Sequence, residues 1–406
     1  MSQLLVEYPI HRPQAGDHPL ARGADGVLRY GNLTPALTEL LDLQVHAFAS
    51  REAVVEIGGP RLTYRELWHS ASRVAGGLQE HGIGYGDRVA IHMPSGARWV
   101  QAFLGALLSG AVPVLVDAGL PDAVAERVIA DSRTDFVLGG TGLPDGAAFI
   151  DDGAALSDLA LLCYTGGNET PKGVELTNEN LLSAIRSVVG ALDLPTDGLR
   201  NLVLLPLAHA SGCVDQMLPT FAVGGTVVLA PDPCTFAETI VAERIDMVSA
   251  TPRIFAGLLP KLAALRGDGL STEGIARISN AGHRSERAAA STDPAAQSAT
   301  LRELFPTARQ WSVWGATETS GIGLAVGENA MPSALGFPFG GTELALCGPQ
   351  AGAGRGELLC RGPNVTRRYW NDPTATEARF TGTWFHTGDQ VTIDDDGLVR
   401  RESVEP

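Results

Sequence analysis

Lysine is almost missing from this chain. Of its 30 basic residues only Lys172 and Lys261 are lysines, and the others are arginines. A lysine in so poor a background is hard to read as casual surface decoration, and Lys172 sits in a glycine-rich loop. Basic charge is also short overall. The formal net charge of −16 argues against a nucleic-acid face, whose phosphates need a basic surface. It leaves room for a small anion, because a local site can oppose the global field. The five cysteines (Cys163, Cys213, Cys234, Cys347, Cys360) form no Cys-x-x-Cys pair and join no histidine cluster, which argues against zinc and against a disulfide framework. Long apolar runs are missing too. Phe103 to Val116 is too short for a membrane span and contains Pro113. The N-terminus shows no charged-then-apolar signal pattern. Together these absences lead to the expectation of a soluble, cytoplasmic protein with no membrane span.

What is present centres on Cys163-Tyr-Thr-Gly-Gly-Asn-Glu-Thr-Pro-Lys-Gly-Val-Glu-Leu-Thr177. The apolar run Leu159-Ala-Leu-Leu-Cys163 reads as a buried strand, and Asn180 to Leu192 has a helical period. Glycines let backbone N–H groups converge on an anion, threonine hydroxyls add donors, and Lys172 adds a point charge. A strand-loop-helix unit with this chemistry predicts a phosphate cradle. The Walker spacing G-x-x-x-x-G-K-[ST] is absent, so it is not that loop.

At 406 residues the chain exceeds one ordinary domain, and 44% hydrophobic residues suffice for a large core. Residues 1–30 are polar, without period, and read as an arm. Residues 31–150 alternate strands (Asp87–Met93, Ala111–Asp117, Thr134–Leu138) with helices (the Trp99-to-Leu108 stretch, Asp122–Ser132). Residues 151–330 repeat the alternation, and 331–406 lose helical periods in favour of Gly, Pro and short β runs. The expected fold is α/β, with two βα-alternating subdomains whose mainly parallel, helix-covered sheets are followed by a smaller C-terminal β subdomain. Polar clusters fall after strands, where ligands sit in open α/β sheets: Thr165 to Lys172, His209 to Gly212, Asn280 to His283 and Gly315 to Gly321. His209 with Ser211, and His283 with Ser285, are sequence neighbours. A catalytic triad needs geometry that adjacency does not supply.

In order along the chain, these segments resemble the adenylate-forming superfamily of acyl-CoA synthetases, peptide-synthetase adenylation domains and luciferases. The resemblance rests on Leu62-Thr-Tyr-Arg-Glu-Leu67, Gly86 to Ile91, the glycine-rich loop and Leu205-Pro-Leu-Ala-His-Ala-Ser-Gly212. It continues through Trp314-Gly-Ala-Thr-Glu318, Gly356 to Pro363, Tyr369-Trp370 and Trp384-Phe-His-Thr-Gly-Asp389. It implies ATP and magnesium as cofactors and a carboxylic acid as substrate. Thr165, Gly166, Gly167, Thr170 and Lys172 would surround the phosphates. Thr317 would donate to the α-phosphate and Glu318 would hold magnesium. Trp314, where the family usually has tyrosine, would lie on the adenine with Gly315 beside it, and Asn280, Ala281 and Gly282 would line the adenine edge. Asp389 would accept the ribose hydroxyls, and His209 would stand at the acyl carboxylate. The acceptor would be the thiol of CoA or the phosphopantetheine of a carrier protein.

Within the resemblance, no aspartate occupies Ala208-His209-Ala210, where amino-acid-activating members usually carry one, and Asp215 reads as a helix residue further along. Two departures matter. The loop is one residue shorter than the family's Tyr-Thr-Ser-Gly-Thr-Thr-Gly-x-Pro-Lys-Gly form and carries Glu169. The family's C-terminal lid, with its hinge and catalytic lysine, has no counterpart in the sequence up to Pro406. The alternative expectation is therefore a degenerate, lid-less relative that binds nucleotide or acyl ligand without full turnover.

Overall fold

The computed structural model describes residues 4–9, 20–140, 142–166, 170–267, 275–281, 294–327 and 334–402. Two β-sheets with helices between and outside them carry the architecture. In the five-stranded sheet, Leu159–Tyr164, Val112–Leu115, Arg88–Ile91 and Phe136–Leu138 run parallel, and Gly173–Thr177 joins Leu159–Tyr164 antiparallel at the edge. In the 15-stranded sheet, Glu52–Glu56, Thr226–Leu229, Arg200–Val203, Met247–Ala250, Arg277–Ala281 and Arg309–Ala316 are parallel neighbours. The strands beyond Arg309–Ala316, beginning with Gly321–Gly327, pair antiparallel. The parallel strands read as near-continuous apolar runs because both faces are covered: Val112–Leu115 and Met247–Ala250 are buried at every position.

The largest apolar cluster takes side chains from both sheets and from the helices Leu37–Phe48, Tyr64–Glu80, Ala97–Leu108 and Asn178–Ala191. Helix Ala97–Leu108 is apolar nearly all round, as a helix lodged in a core must be. Its Trp99 and Phe103 rings stack at 5.4 Å. No helix of the described residues is long and apolar enough to cross a membrane.

Three features differ from the expectations. The glycine-rich loop does not enter a helix. It closes a β-hairpin, because Gly173–Thr177 pairs back onto Leu159–Tyr164 before the helix Asn178–Ala191 starts. The N-terminal residues include the strand Leu5–Tyr8, an edge strand on Glu343–Cys347, and a small hairpin, Leu20–Arg22 with Leu28–Tyr30. Arg22 ties that hairpin to Glu343 at 2.7 Å. The chain also exchanges strands across position 150. Glu52–Glu56 lies in the larger sheet beside Thr226–Leu229, while Leu159–Tyr164 lies in the smaller beside Val112–Leu115. Alternation in a sequence reveals strands but not their partners.

Candidate active site

The hairpin is drawn shut at its base. The Thr165 amide donates to the Lys172 carbonyl at 3.0 Å, and the Lys172 amide donates to Thr165 Oγ1 at 3.0 Å. Thr165 therefore keeps its hydroxyl proton free to donate. Thr170 is exposed. Gly167 and Glu169 lie outside the described residues, as does Gly282. Gly166 faces His209: a Cβ there would sit 3.6 Å from His209 Cε1.

His209 precedes the short helical segment Ala210–Gly212 and reaches across to the smaller sheet. Its Nε2 lies 2.8 Å from Asp117 Oδ2. That hydrogen bond, more than any other contact, holds the Asp117 carboxyl below the usual aspartate range, against the opposing effect of burial. With Asp117 ionised, Nε2 carries the donated proton, and the other side of the ring is turned toward Gly166 of the loop. Asp117 had no place among the candidates. The available signal was its position, a carboxylate just past the C-terminal end of an apolar parallel strand.

On the other side of the hairpin, the Trp370 amide donates to the Gly173 carbonyl at 2.7 Å and brings Tyr369 alongside. Lys172 Nζ lies 5.6 Å from the Tyr369 ring centroid. The Tyr369 hydroxyl donates to Glu318 Oε1 at 2.6 Å. Burial foremost, then the Glu318 charge, pushes the Tyr369 phenol well above its ordinary value, so it stays a donor. The loop lysine and the buried Glu318 are thus joined through one tyrosine. Glu318 sits on the turn Thr317–Thr319, which follows the strand Arg309–Ala316. The half-exposed Thr317 precedes it. The turn ends at Ser320, a non-glycine residue at φ 55°. Asn364 braces it: the Ser320 hydroxyl donates to the Asn364 carbonyl, and Asn364 Nδ2 donates to the Thr319 carbonyl at 3.0 Å. A strained residue held this firmly fixes where Glu318 points.

Trp314 and Asp389 form a second pair. The indole N–H donates to Asp389 Oδ2 at 3.0 Å, and Arg401 Nη2 lies 3.7 Å from Asp389 Oδ1. The Trp314 ring belongs to the apolar cluster of the C-terminal strands, with Leu335 and Phe385, and is only 5% exposed. Its recorded contacts are therefore those of a buried residue that positions Asp389. Gly315 has a steric reason to be glycine, since a Cβ there would fall 1.9 Å from the Gly321 carbonyl oxygen. Asn280 and Ala281 end a strand in register with Ser312 and Val313, one strand from Trp314.

Asp215 lies on a π-helical turn, Cys213–Met217, and its Oδ1 accepts from the Ile322 amide at 2.8 Å. Burial pushes this carboxyl well above the usual aspartate range, and the Ile322 N–H opposes that only in part. Cys163, on the strand that feeds the hairpin, is fully buried. Burial pushes its thiol up to about 12, so it offers no nucleophile.

A metal cage built from protein alone is not present, since no group of three or more His, Cys, Asp or Glu is gathered among the described residues. One carboxylate with an open oxygen does suit magnesium, which takes one or two carboxylates together with substrate phosphate oxygens. Glu318 has that character, with Oε1 occupied by Tyr369.

A family model described as "AMP-binding enzyme" matches residues 41–156 and 144–370. The chain belongs to this AMP-binding enzyme family. Among curated relatives, a feruloyl-CoA synthase from Amycolatopsis sp is 29% identical over 386 residues, covering 87% of this chain and 74% of that protein. Among solved structures, the N-terminal domain of FACL13 from Mycobacterium tuberculosis superposes with a TM-score of 0.79 at 24% identity, covering 91% of this chain and 100% of that one. An O-succinylbenzoate coenzyme A synthetase from Bacillus subtilis, in complex with AMP, gives 0.77 at 24% identity, covering 91% and 78%. At these identities the two structures establish the fold. The matched span of the AMP-binding family model takes in Lys172, His209, Glu318 and Tyr369, whereas Asp389 lies beyond it.

Proposed function

We propose that this chain activates a carboxylic acid with ATP. A substrate carboxylate oxygen bonds to the α-phosphorus while the bond to the bridging oxygen breaks, giving an acyl-adenylate and pyrophosphate. The thiol of CoA or of a carrier protein then bonds to the acyl carbon, the acyl–phosphate bond breaks, and AMP leaves. The observation that carries this reading is the Lys172–Tyr369–Glu318 link, which sets a cation and a carboxylate at one hairpin.

No side-chain nucleophile is required. Positioning and charge neutralisation suffice for a reaction whose attacking group is the substrate itself. Lys172, Thr165 and the loop amides bind the phosphates, Thr317 donates to the α-phosphate, and Asp389 accepts the ribose hydroxyls. Asp117 orients His209 at the acyl carboxylate. Magnesium, when bound beside Glu318, supplies positive charge to the phosphate oxygens. Segment 208–210 offers no carboxylate for an α-amino group, which favours acyl or aryl acids, in keeping with the names of relatives such as the feruloyl-CoA synthase and a 2-succinylbenzoate–CoA ligase.

A second reading, binding without turnover, draws on the shortened loop and Glu169. A carboxylate facing a triphosphate is repulsive unless it turns outward or meets the metal. Acid-dependent exchange of pyrophosphate into ATP, measured across a panel of aryl and fatty acids, separates the two. Exchange with at least one acid supports activation. Binding of ATP and acids with no exchange assigns the chain to the second reading.

A further inference from the structure

Away from the hairpin, a cavity of about 520 Å³ opens between the helices Leu37–Phe48 and Asn178–Ala191. This volume lies within the range of small-molecule pockets. Its wall is mostly apolar, with Leu40, Phe48, Leu182, Ile185, Val189 and Phe339. Lys172, His209, Glu318 and Asp389 do not line it. Val189 and Phe339 pack against a cluster that includes Val313 and Ile322, so core adjoins the cavity on the side of the Glu318 turn.

The charge of the lining is one-sided. Among the described lining residues Arg186 is the one charged side chain, in a protein of net charge −16. Its guanidinium donates to Asn32 through both terminal nitrogens, to the side-chain oxygen and, at 3.1 Å, to the carbonyl. It also lies 5.3 Å from the Tyr30 ring centroid. None of these partners is a carboxylate. A guanidinium has five N–H donors, so donors remain, and it keeps its charge when half-buried. Partial burial without a counter-ion lowers its pKa from the ordinary arginine value. Tyr30, at the same rim, has its hydroxyl within 3.0 Å of Ser187 Oγ, which fixes the ring under the guanidinium.

We propose that this cavity is a second small-molecule site, separate from the nucleotide-binding hairpin, for an amphipathic monoanion whose carboxylate meets Arg186 while its apolar body fills the space between the two helices. The apolar wall supplies burial, and the unpaired cation selects charge over a neutral ligand of the same shape. The site goes beyond the adenylation reading and does not depend on it.

Titration calorimetry on the 406-residue chain tests this with octanoate and its neutral counterpart, octan-1-ol. Arg186→Gln should weaken octanoate about tenfold and leave octanol unchanged, the loss of one charge-assisted pair. Ala191→Phe, which fills the cavity, should abolish both. Mg-ATP affinity should match wild type in either variant, which also reports that each is folded. Octanoate binding with the same affinity in all three proteins would place the acid elsewhere, as in the adenylation site, and overturn the proposal. Failure of wild type to bind octanoate at millimolar concentration would overturn it as well.

Discussion

The Trp314 indole and the Asp389 carboxylate are both buried and meet at 3.0 Å. Phenylalanine in place of Trp314 keeps an aromatic ring but is smaller and lacks the N–H, which leaves a buried carboxylate with one donor fewer. Trp314→Phe should therefore cost about 1.5–3 kcal/mol in urea unfolding, the usual worth of a hydrogen bond to a charged group. A loss below about 0.5 kcal/mol would show that water replaces the indole. Sequence reasoning singles out both residues, Trp314 for the adenine and Asp389 for the ribose hydroxyls. What it could not see was their mutual bond, made between positions 75 apart. Asp117 and Tyr369 escaped for the same reason. Each acts through a partner, 92 residues away for Asp117 and 51 for Tyr369. Chain spacing carries no trace of such a contact, whereas the residues of the loop announced themselves by standing together.

At the level of elements, the glycine-rich loop joins two strands, and the helix Asn178–Ala191 starts only after the second of them. The helix Asn178–Ala191 is closed by its own capping box: Thr177 accepts from the Asn180 amide and Asn180 reaches back to the Thr177 amide. The anion affinity proposed for the hairpin therefore draws on Lys172 and the threonine hydroxyls rather than on that helix. The strand Gly173–Thr177 has only 5 residues, too few for its apolar alternation to stand out from the loop in the sequence. The π-helical turn Cys213–Met217 places Asp215 against Gly321, which stands at φ +93°. A Cβ at Gly321 would come within 2.0 Å of the carboxylate. Asp215 holds its proton in the folded chain at pH values where the unfolded chain has lost it. Stability must then fall as pH rises from the unfolded carboxylate range through the raised folded value. Asp215→Asn keeps an acceptor for Ile322 and removes the titration. Its melting temperature should be flatter across that window than the wild type's and no lower at pH 7. An unchanged pH slope would mean that the carboxyl is ionised in the fold.

Over the whole molecule, the strand exchange across position 150 makes the two sheets interdependent. Residues 31–150 taken alone lose Thr226–Leu229 beside Glu52–Glu56 and Leu159–Tyr164 beside Val112–Leu115. That fragment should show no cooperative unfolding by circular dichroism, and a sharp transition would contradict the topology. Fold class and parallel strands were readable from apolar runs; the exchange was not, because pairing is a long-range property. The proposed function asks the same long-range folding to let Lys172, Glu318 and Asp389 serve one ligand. Calorimetric titration of Mg-ATP tests that convergence most directly. Lys172→Ala and Asp389→Ala should each weaken binding about tenfold or more, while Lys261→Ala, at the exposed lysine of the helix Pro252–Gly267, should match wild type. Equal ATP affinity in all four proteins would contradict a shared nucleotide site.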